Sequence, residues 1–163
     1  MDVLLGSTNA ERDRITFFRT QILFWVLGAS DGHAKNFSLF LEAGGSYRLA
    51  PLYDILSAYP VTGRGHGKLP LQKIKMAMAV YGANRHYEWS RIEPRHWVET
   101  GRRCGISEET TRRLMTEICE TAEGALERVG RRIPSSFPSQ LQEAILSGVK
   151  SSARRLGSFV KQP

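Results

Sequence analysis

The stretch that constrains this chain most is one that leaves no side for water. Apolar residues at Ile15, Phe18, Ile22 and Trp25 keep helical spacing, and Phe17, Leu23, Phe24, Val26 and Leu27 fill the other directions of its second half. A helix apolar nearly all round must be wrapped by the rest of the fold. Its longest unbroken apolar run, Ile22 to Leu27, is far short of the ~20 residues a membrane span requires. The acidic, polar start Met1-Asp2 is unlike a signal peptide. Thr8-Asn9-Ala10-Glu11 reads as a capping box opening the helix, and Gly28 as its stop.

The wrapping elements follow from periodicity. Phe37 to Leu41 reads as a strand, Glu42-Ala43-Gly44-Gly45 as a turn, and Ser46 to Ala50 as a second strand, giving a β-hairpin that Pro51 ends. Gly63 to Pro70 reads as an exposed loop, and Lys73 to Tyr81 as apolar but ambiguous between strand and helix. Pro94 opens a helix through Trp97 and Val98 that Gly105 closes. Ser107 caps a long amphipathic helix with Met115, Ile118, Ala122, Leu126 and Val129 on one stripe. After a break at Ile133 to Pro138, a last helix carries Leu141, Ile145, Val149 and Leu156. The expectation is a mainly α (α+β) fold with one small hairpin near the front. At 163 residues and 41% hydrophobic, residues 1–163 fit one domain that buries roughly two thirds of its unfolded surface.

Charge and cysteine content set the environment. The net charge of +7 is compatible with nucleic acid, an anionic surface or phosphate-bearing ligands. The arginines come in scattered pairs (Arg102-Arg103, Arg112-Arg113, Arg131-Arg132, Arg154-Arg155) with no recognition motif, which favours a basic surface for solubility or partner docking over sequence-specific DNA reading. Cys104 and Cys119 lack CxxC spacing and disulfide density, so buried reduced thiols and a cytoplasmic setting are expected. His33 has no His or Cys partner at zinc-ligand spacing. Gly63-Arg64-Gly65-His66-Gly67-Lys68 lacks the spacing of a phosphate-binding loop, and Met76, Met78 and Trp97 read as core.

The chemistry lies between Asp31 and Asp54. Transfer of a phosphoryl group needs a carboxylate at the attacking hydroxyl and oxygen ligands that hold magnesium against phosphate. Asp31-Gly32-His33-Ala34-Lys35-Asn36 supplies an Asp and, five residues on, an Asn, the spacing found in protein-kinase catalytic loops. Asp54 follows at the hairpin exit. Because a hairpin returns its second strand beside the start of its first, Asp31, Asn36 and Asp54 are expected to meet at one edge.

Two longer stretches carry a family resemblance. Trp25-Val26-Leu27-Gly28-Ala29-Ser30-Asp31-Gly32-His33-Ala34-Lys35-Asn36-Phe37-Ser38 and Tyr47-Arg48-Leu49-Ala50-Pro51-Leu52-Tyr53-Asp54-Ile55-Leu56-Ser57 resemble the signature of HipA-type serine/threonine kinases of bacterial toxin-antitoxin modules. The resemblance implies the helical C-terminal lobe of a kinase that uses ATP and Mg2+ to phosphorylate a protein. It implies Asp31 as catalytic base, His33 and Lys35 as supporting residues near the phosphates, and Asn36 and Asp54 as magnesium ligands. It further implies a DNA-binding HipB-type antitoxin as partner, contact with DNA only through that antitoxin, and an aminoacyl-tRNA synthetase as a substrate of the family.

The family's nucleotide-clamping N-lobe lies upstream of this region, and the 30 residues before Asp31 hold mostly one helix. Ala29-Ser30 replaces the His-Arg of conventional kinases, and Ile55-Leu56 follows Asp54 in place of Phe-Gly. Two rival readings follow: a non-catalytic remnant or binding half of a split toxin, and an atypical lipid or small-molecule kinase, since Asp-x-His-x-x-Asn also occurs in lipid-kinase loops.

Overall fold

A computed structural model describes residues 1–160. The expected buried helix is α1 (Ala10–Leu27), where Ile22 and Trp25 are wholly withdrawn from solvent. Wrapped on it are β1 (Leu39–Leu41), β2 (Tyr47–Leu49), β3 (Lys75–Tyr81), β4 (Arg85–Glu88), α2 (Pro94–Arg103), α3 (Glu108–Arg132) and α4 (Ser139–Val160). The helices α3 and α4 pack together, α4 lies against α1, and α2 fits between α3 and β3. The fold is mainly helical with two separate antiparallel hairpins, β1-β2 and β3-β4.

Aromatic rings organise the core. Trp25 stacks on Trp89 at 5.8 Å, and each indole N–H donates to the other residue's carbonyl, at 3.1 and 2.9 Å. This reciprocal pair fixes the stretch after β4 to the last turn of α1 while leaving neither indole nitrogen unpaired, which a dry site demands. Trp97 meets Trp25 edge-on. Arg155 lies over Trp25 and donates to the carbonyls of Ser90 and Ile92, tying α4 to the same point. Tyr59 donates to the Val26 carbonyl at 2.9 Å and accepts from the Ser152 hydroxyl of α4 at 2.7 Å, and burial pushes its phenol up to about 12.

Several elements differ from the sequence expectation. The capping box at Thr8 does not form: Thr8 Oγ1 donates to the Tyr47 carbonyl of the hairpin, and Asn9 is the cap residue. The ambiguous apolar segment is β3, with Ile74, Met76 and Val80 buried, and it pairs with β4 in a second hairpin. Val129 and Leu141 are exposed because the ends of α3 and α4 that they occupy run past the core. The cysteines are half-buried rather than buried. Ser107 caps α3 as expected, accepting the Thr110 amide hydrogen at 3.1 Å.

One histidine makes folding sensitive to acid. His96, buried at the start of α2, stacks on His86 of β4 at 4.0 Å, and its Nδ1 accepts the Glu93 amide hydrogen in a capping box. Burial, then the neighbouring His86, Arg95 and Arg155, lower its pKa below the ordinary 6.5 against the opposing pull of Glu93. The folded state therefore holds His96 neutral, while the unfolded chain takes up a proton near 6.5. This contribution is present above that pH and lost as pH falls through the folded value. Thermal melts between pH 7 and 5.5 should show a smaller loss of stability for His96→Gln than for the unchanged protein. Equal slopes would exclude His96 as the source.

Candidate functional site

The site loop is shaped by the end of α1. Gly28 adopts φ 64 and terminates the helix, its N–H bonded to the Phe24 and Trp25 carbonyls. Four residues on, Gly32 lies flush against Phe24: a Cβ there would stand 2.0 Å from the ring. Phe24 is only 2% exposed and has nowhere to retreat. Phe37 closes the loop from its far side, 4.6 Å from the Phe17 ring and 5.9 Å from Phe24. Gly32→Ala should therefore displace the loop and cost about 1–3 kcal/mol. Thermal denaturation measures this, and a variant as stable as the original would show that the loop is not held by this contact.

The hairpin then returns the chain to the loop. Ala50 donates to the Ser38 carbonyl at 2.8 Å, so the residues after β2 re-emerge beside those before β1. Asn36 is buried, and its Nδ2 donates to Asp54 Oδ2 at 2.9 Å. Tyr53 clasps the same junction through the Lys35 carbonyl at 3.0 Å and the Ser38 hydroxyl at 2.8 Å. Asp54 has φ 56, the left-handed region, and among the described residues no other non-glycine does so. Such a backbone costs about 1–3 kcal/mol and persists where the surroundings over-determine it, often at functional sites.

The remaining expected residues lie on the same loop. Asp31 is almost fully exposed, with its Oδ1 3.8 Å from His33 Nε2. The Nδ1 of His33 is buried without a partner. Lys35 is exposed on the turn that carries Asn36. No hydrogen bond joins Asp31 to Asn36 or Asp54.

Asp13 escaped the sequence reading. Its buried carboxylate accepts the Leu49 amide hydrogen at 2.7 Å and the Ser7 hydroxyl, which docks β2 onto α1 and so sets the height at which Asp54 leaves the hairpin. The available signal was its position on α1. Asp13 shares a helix face with Phe17 and Phe24, and an acid on a buried face needs a partner.

The donor chemistry suits a hard cation. With Asn36 Nδ2 spent on Asp54, the Asn36 Oδ1 and Asp54 Oδ1 atoms have no protein partner among the described residues. Among those residues no group of three or more His, Cys, Asp or Glu side chains could hold a metal ion by itself. A cation at this pair would complete its shell with non-protein oxygens, the habit of magnesium at phosphate sites.

Residues 1–126 match the family described as the HipA-like C-terminal domain. The chain belongs to that family. A relative of this HipA-like domain in Sinorhizobium fredii, Y4mE, described as a candidate kinase, is 27% identical over 125 residues, covering 76% of this chain and 26% of its own. The fold is similar to that of a structure of the Shewanella oneidensis MR-1 toxin-antitoxin system HipA and HipB with operator DNA. The TM-score is 0.81 at 15% identity, over 99% of this chain and 35% of the other. The HipA-like domain thus spans about a quarter of the length of the curated relative and about a third of the solved chain.

Proposed function

We propose that this domain supplies the catalytic loop and magnesium ligands of an ATP-dependent serine/threonine protein kinase, working with a nucleotide-clamping lobe. The observation that carries this reading is the Asn36–Asp54 pair: two residues 18 apart, bonded at 2.9 Å where the hairpin exit meets the loop that bears Asp31, with one oxygen of each free of a protein partner among the described residues. Bound magnesium would neutralise phosphate charge there. Asn36 Oδ1 and Asp54 Oδ1 would hold it, and the bond between their side chains fixes where those oxygens point. Asp31, exposed to an incoming substrate, takes the proton of a Ser or Thr hydroxyl as its oxygen bonds to the γ-phosphorus and the bond to the departing ADP oxygen breaks. In this reading His33, 3.8 Å from Asp31, positions it, and the exposed Lys35 would offer its ammonium to phosphate oxygens.

The apolar residues around this site support a second lobe. Phe40, Leu41, Tyr53, Ile55 and Leu56 are all exposed on the hairpin and its exit, an unusual concentration for a finished surface. By likeness to the HipA structure in complex with HipB and DNA, a HipB-like antitoxin is the proposed partner, with DNA reached through it and a cytoplasmic setting. Among the described residues no helix is long and apolar enough to cross a membrane. The direct test is calorimetric titration of the domain with ATP, with and without magnesium. Affinity that rises with magnesium and falls in Asp54→Ala is the expected result, and magnesium-independent binding would defeat the assignment of Asn36 and Asp54.

A further inference from the structure

The charge of this protein is unevenly placed. From Ile55 to Tyr87 the sequence holds Arg64, Lys68, Lys73, Lys75 and Arg85, with His66 and His86, and no Asp or Glu. None of those five cations forms an ion pair among the described residues, a condition they share with Arg12, Arg19 and Arg128, but only in this segment does the sequence itself supply no carboxylate over so long a run. Within this stretch, residues 61–73 project as a loop closed by Leu69 N–H on the Val61 carbonyl at 2.8 Å and Gly63 N–H on the Leu69 carbonyl at 3.0 Å. Arg64 and Lys68 border an open hollow of about 480 Å³, beside Leu71 and Gln72. Lys68 is partly occupied by the Pro60 carbonyl, and Arg64 has no partner among the described residues.

Both stems of the loop are pinned to the base of the site loop. Ala58 donates to the Gly28 carbonyl and Ala77 to the Ser30 carbonyl, each at 2.9 Å. The basic segment therefore leaves and rejoins the body within three residues of Asp31. Cations on a segment whose two stems are anchored to the base of the Asp31 loop would create a positive field on that side of the site and draw in anionic segments. Exposed Val61, Leu69 and Leu71 on the same loop add apolar contact. Residues 61–73 contain no Phe, Tyr or Trp and offer a nucleobase only the His66 ring, whereas the exposed aliphatic side chains beside the cations suit a polypeptide better than single-stranded nucleic acid.

We infer that the Arg64–Lys75 segment is the docking surface for an acidic stretch of the protein substrate, beside the hydroxyl that Asp31 deprotonates. The inference rests on the kinase reading above and assigns its substrate class: Ser or Thr in a sequence rich in Asp and Glu, with Arg64 and Lys68 meeting a carboxylate in the hollow.

The test is fluorescence anisotropy with the full chain and three labelled probes of equal length: a Ser-containing peptide rich in Glu and Asp, its Gln/Asn counterpart, and a single-stranded oligonucleotide of matched charge. The acidic peptide should bind at least tenfold more tightly than the neutral one at physiological salt. Reversing both loop charges in R64E/K68E should weaken it about tenfold, while R131E/R132E, on the exposed end of α3, should weaken it less than twofold. Equal weakening by the two double variants would overturn the inference in favour of diffuse attraction, and tighter binding of the oligonucleotide would replace the peptide with nucleic acid. Titration with ATP and magnesium on the same proteins separates this from the kinase reading. R64E/K68E should bind ATP normally, and acidic-peptide binding in a chain that takes no ATP would keep the surface while removing the enzyme.

Discussion

Asp31→Asn, made in this domain joined to a HipA-type nucleotide lobe, is expected to lower phosphoryl transfer by about a hundred- to ten-thousandfold, the range a positioned general base contributes. Stability should barely change: the Asp31 side chain is 89% exposed and touches only His33, so the isosteric amide costs no buried contact. Surface changes of this kind usually stay within about 0.5 kcal/mol. Affinity for ATP and magnesium should also persist, because the proposed ligands are Asn36 and Asp54, which bond to each other and not to Asp31. Asp54→Asn should behave differently, losing nucleotide affinity along with rate. The measurements are steady-state phosphate transfer, calorimetric ATP binding and thermal melting on the same preparations. Full activity in Asp31→Asn would move the role of base to another group.

The fold is most legible in the sequence where local rules and tertiary demands agree. The apolar run of α1 could only be interior, Gly28 could only end it, and a turn of Ala43-Gly44-Gly45 between short apolar runs could hardly be anything but a hairpin. The meeting of Asn36 and Asp54 follows from that hairpin without any long-range information. The second hairpin was hidden for a physical reason. Arg85-His86-Tyr87-Glu88 of β4 has no apolar alternation, and it is a strand because β3 offers it a ladder and because Trp89, just beyond it, is anchored to Trp25.

The same limit explains the failed capping box and the unnoticed Asp13. Thr8 had a good local partner in prospect, yet the hairpin brought the Tyr47 carbonyl to its hydroxyl, and a tertiary bond displaced the local one. Asp13 has no meaning until Leu49 and Ser7 arrive from β2 and from the turn before α1. In both cases the deciding partner comes from the β1-β2 hairpin, which the spacing of residues near the helix start does not encode. The site is thus held by contacts with Phe24, Phe37 and Asp13 that are less visible in sequence than the residues they hold.

The second large effect concerns the lobe. The chain spans about a third of the HipA chain it resembles, and the residues before Asp31 form only a short 3-10 turn and α1, with no strand pair to cover a nucleotide. Magnesium held by Asn36 and Asp54 would grip only the phosphate end of ATP, leaving the adenine solvated and the γ-phosphate poorly aligned with Asp31. A reacting group misplaced by ~1 Å can cost about a hundredfold in rate, and loss of adenine contacts weakens binding as well. These residues alone should therefore transfer phosphate at least about a hundredfold more slowly than the same residues joined to a HipA-type N-lobe or mixed with one. If the exposed Phe40, Leu41, Tyr53, Ile55 and Leu56 are the lobe's landing surface, as proposed, L41E/L56E should abolish the gain from a separately added lobe while leaving the isolated domain folded. Radiolabel transfer from ATP to a protein substrate, by the domain, by the pair and by the pair carrying L41E/L56E, measures each step. Strong transfer by the isolated domain would refute the need for a lobe. A pair that assembles through this surface, binds ATP with magnesium and still transfers nothing would make the domain a binding module that keeps the catalytic loops without turnover.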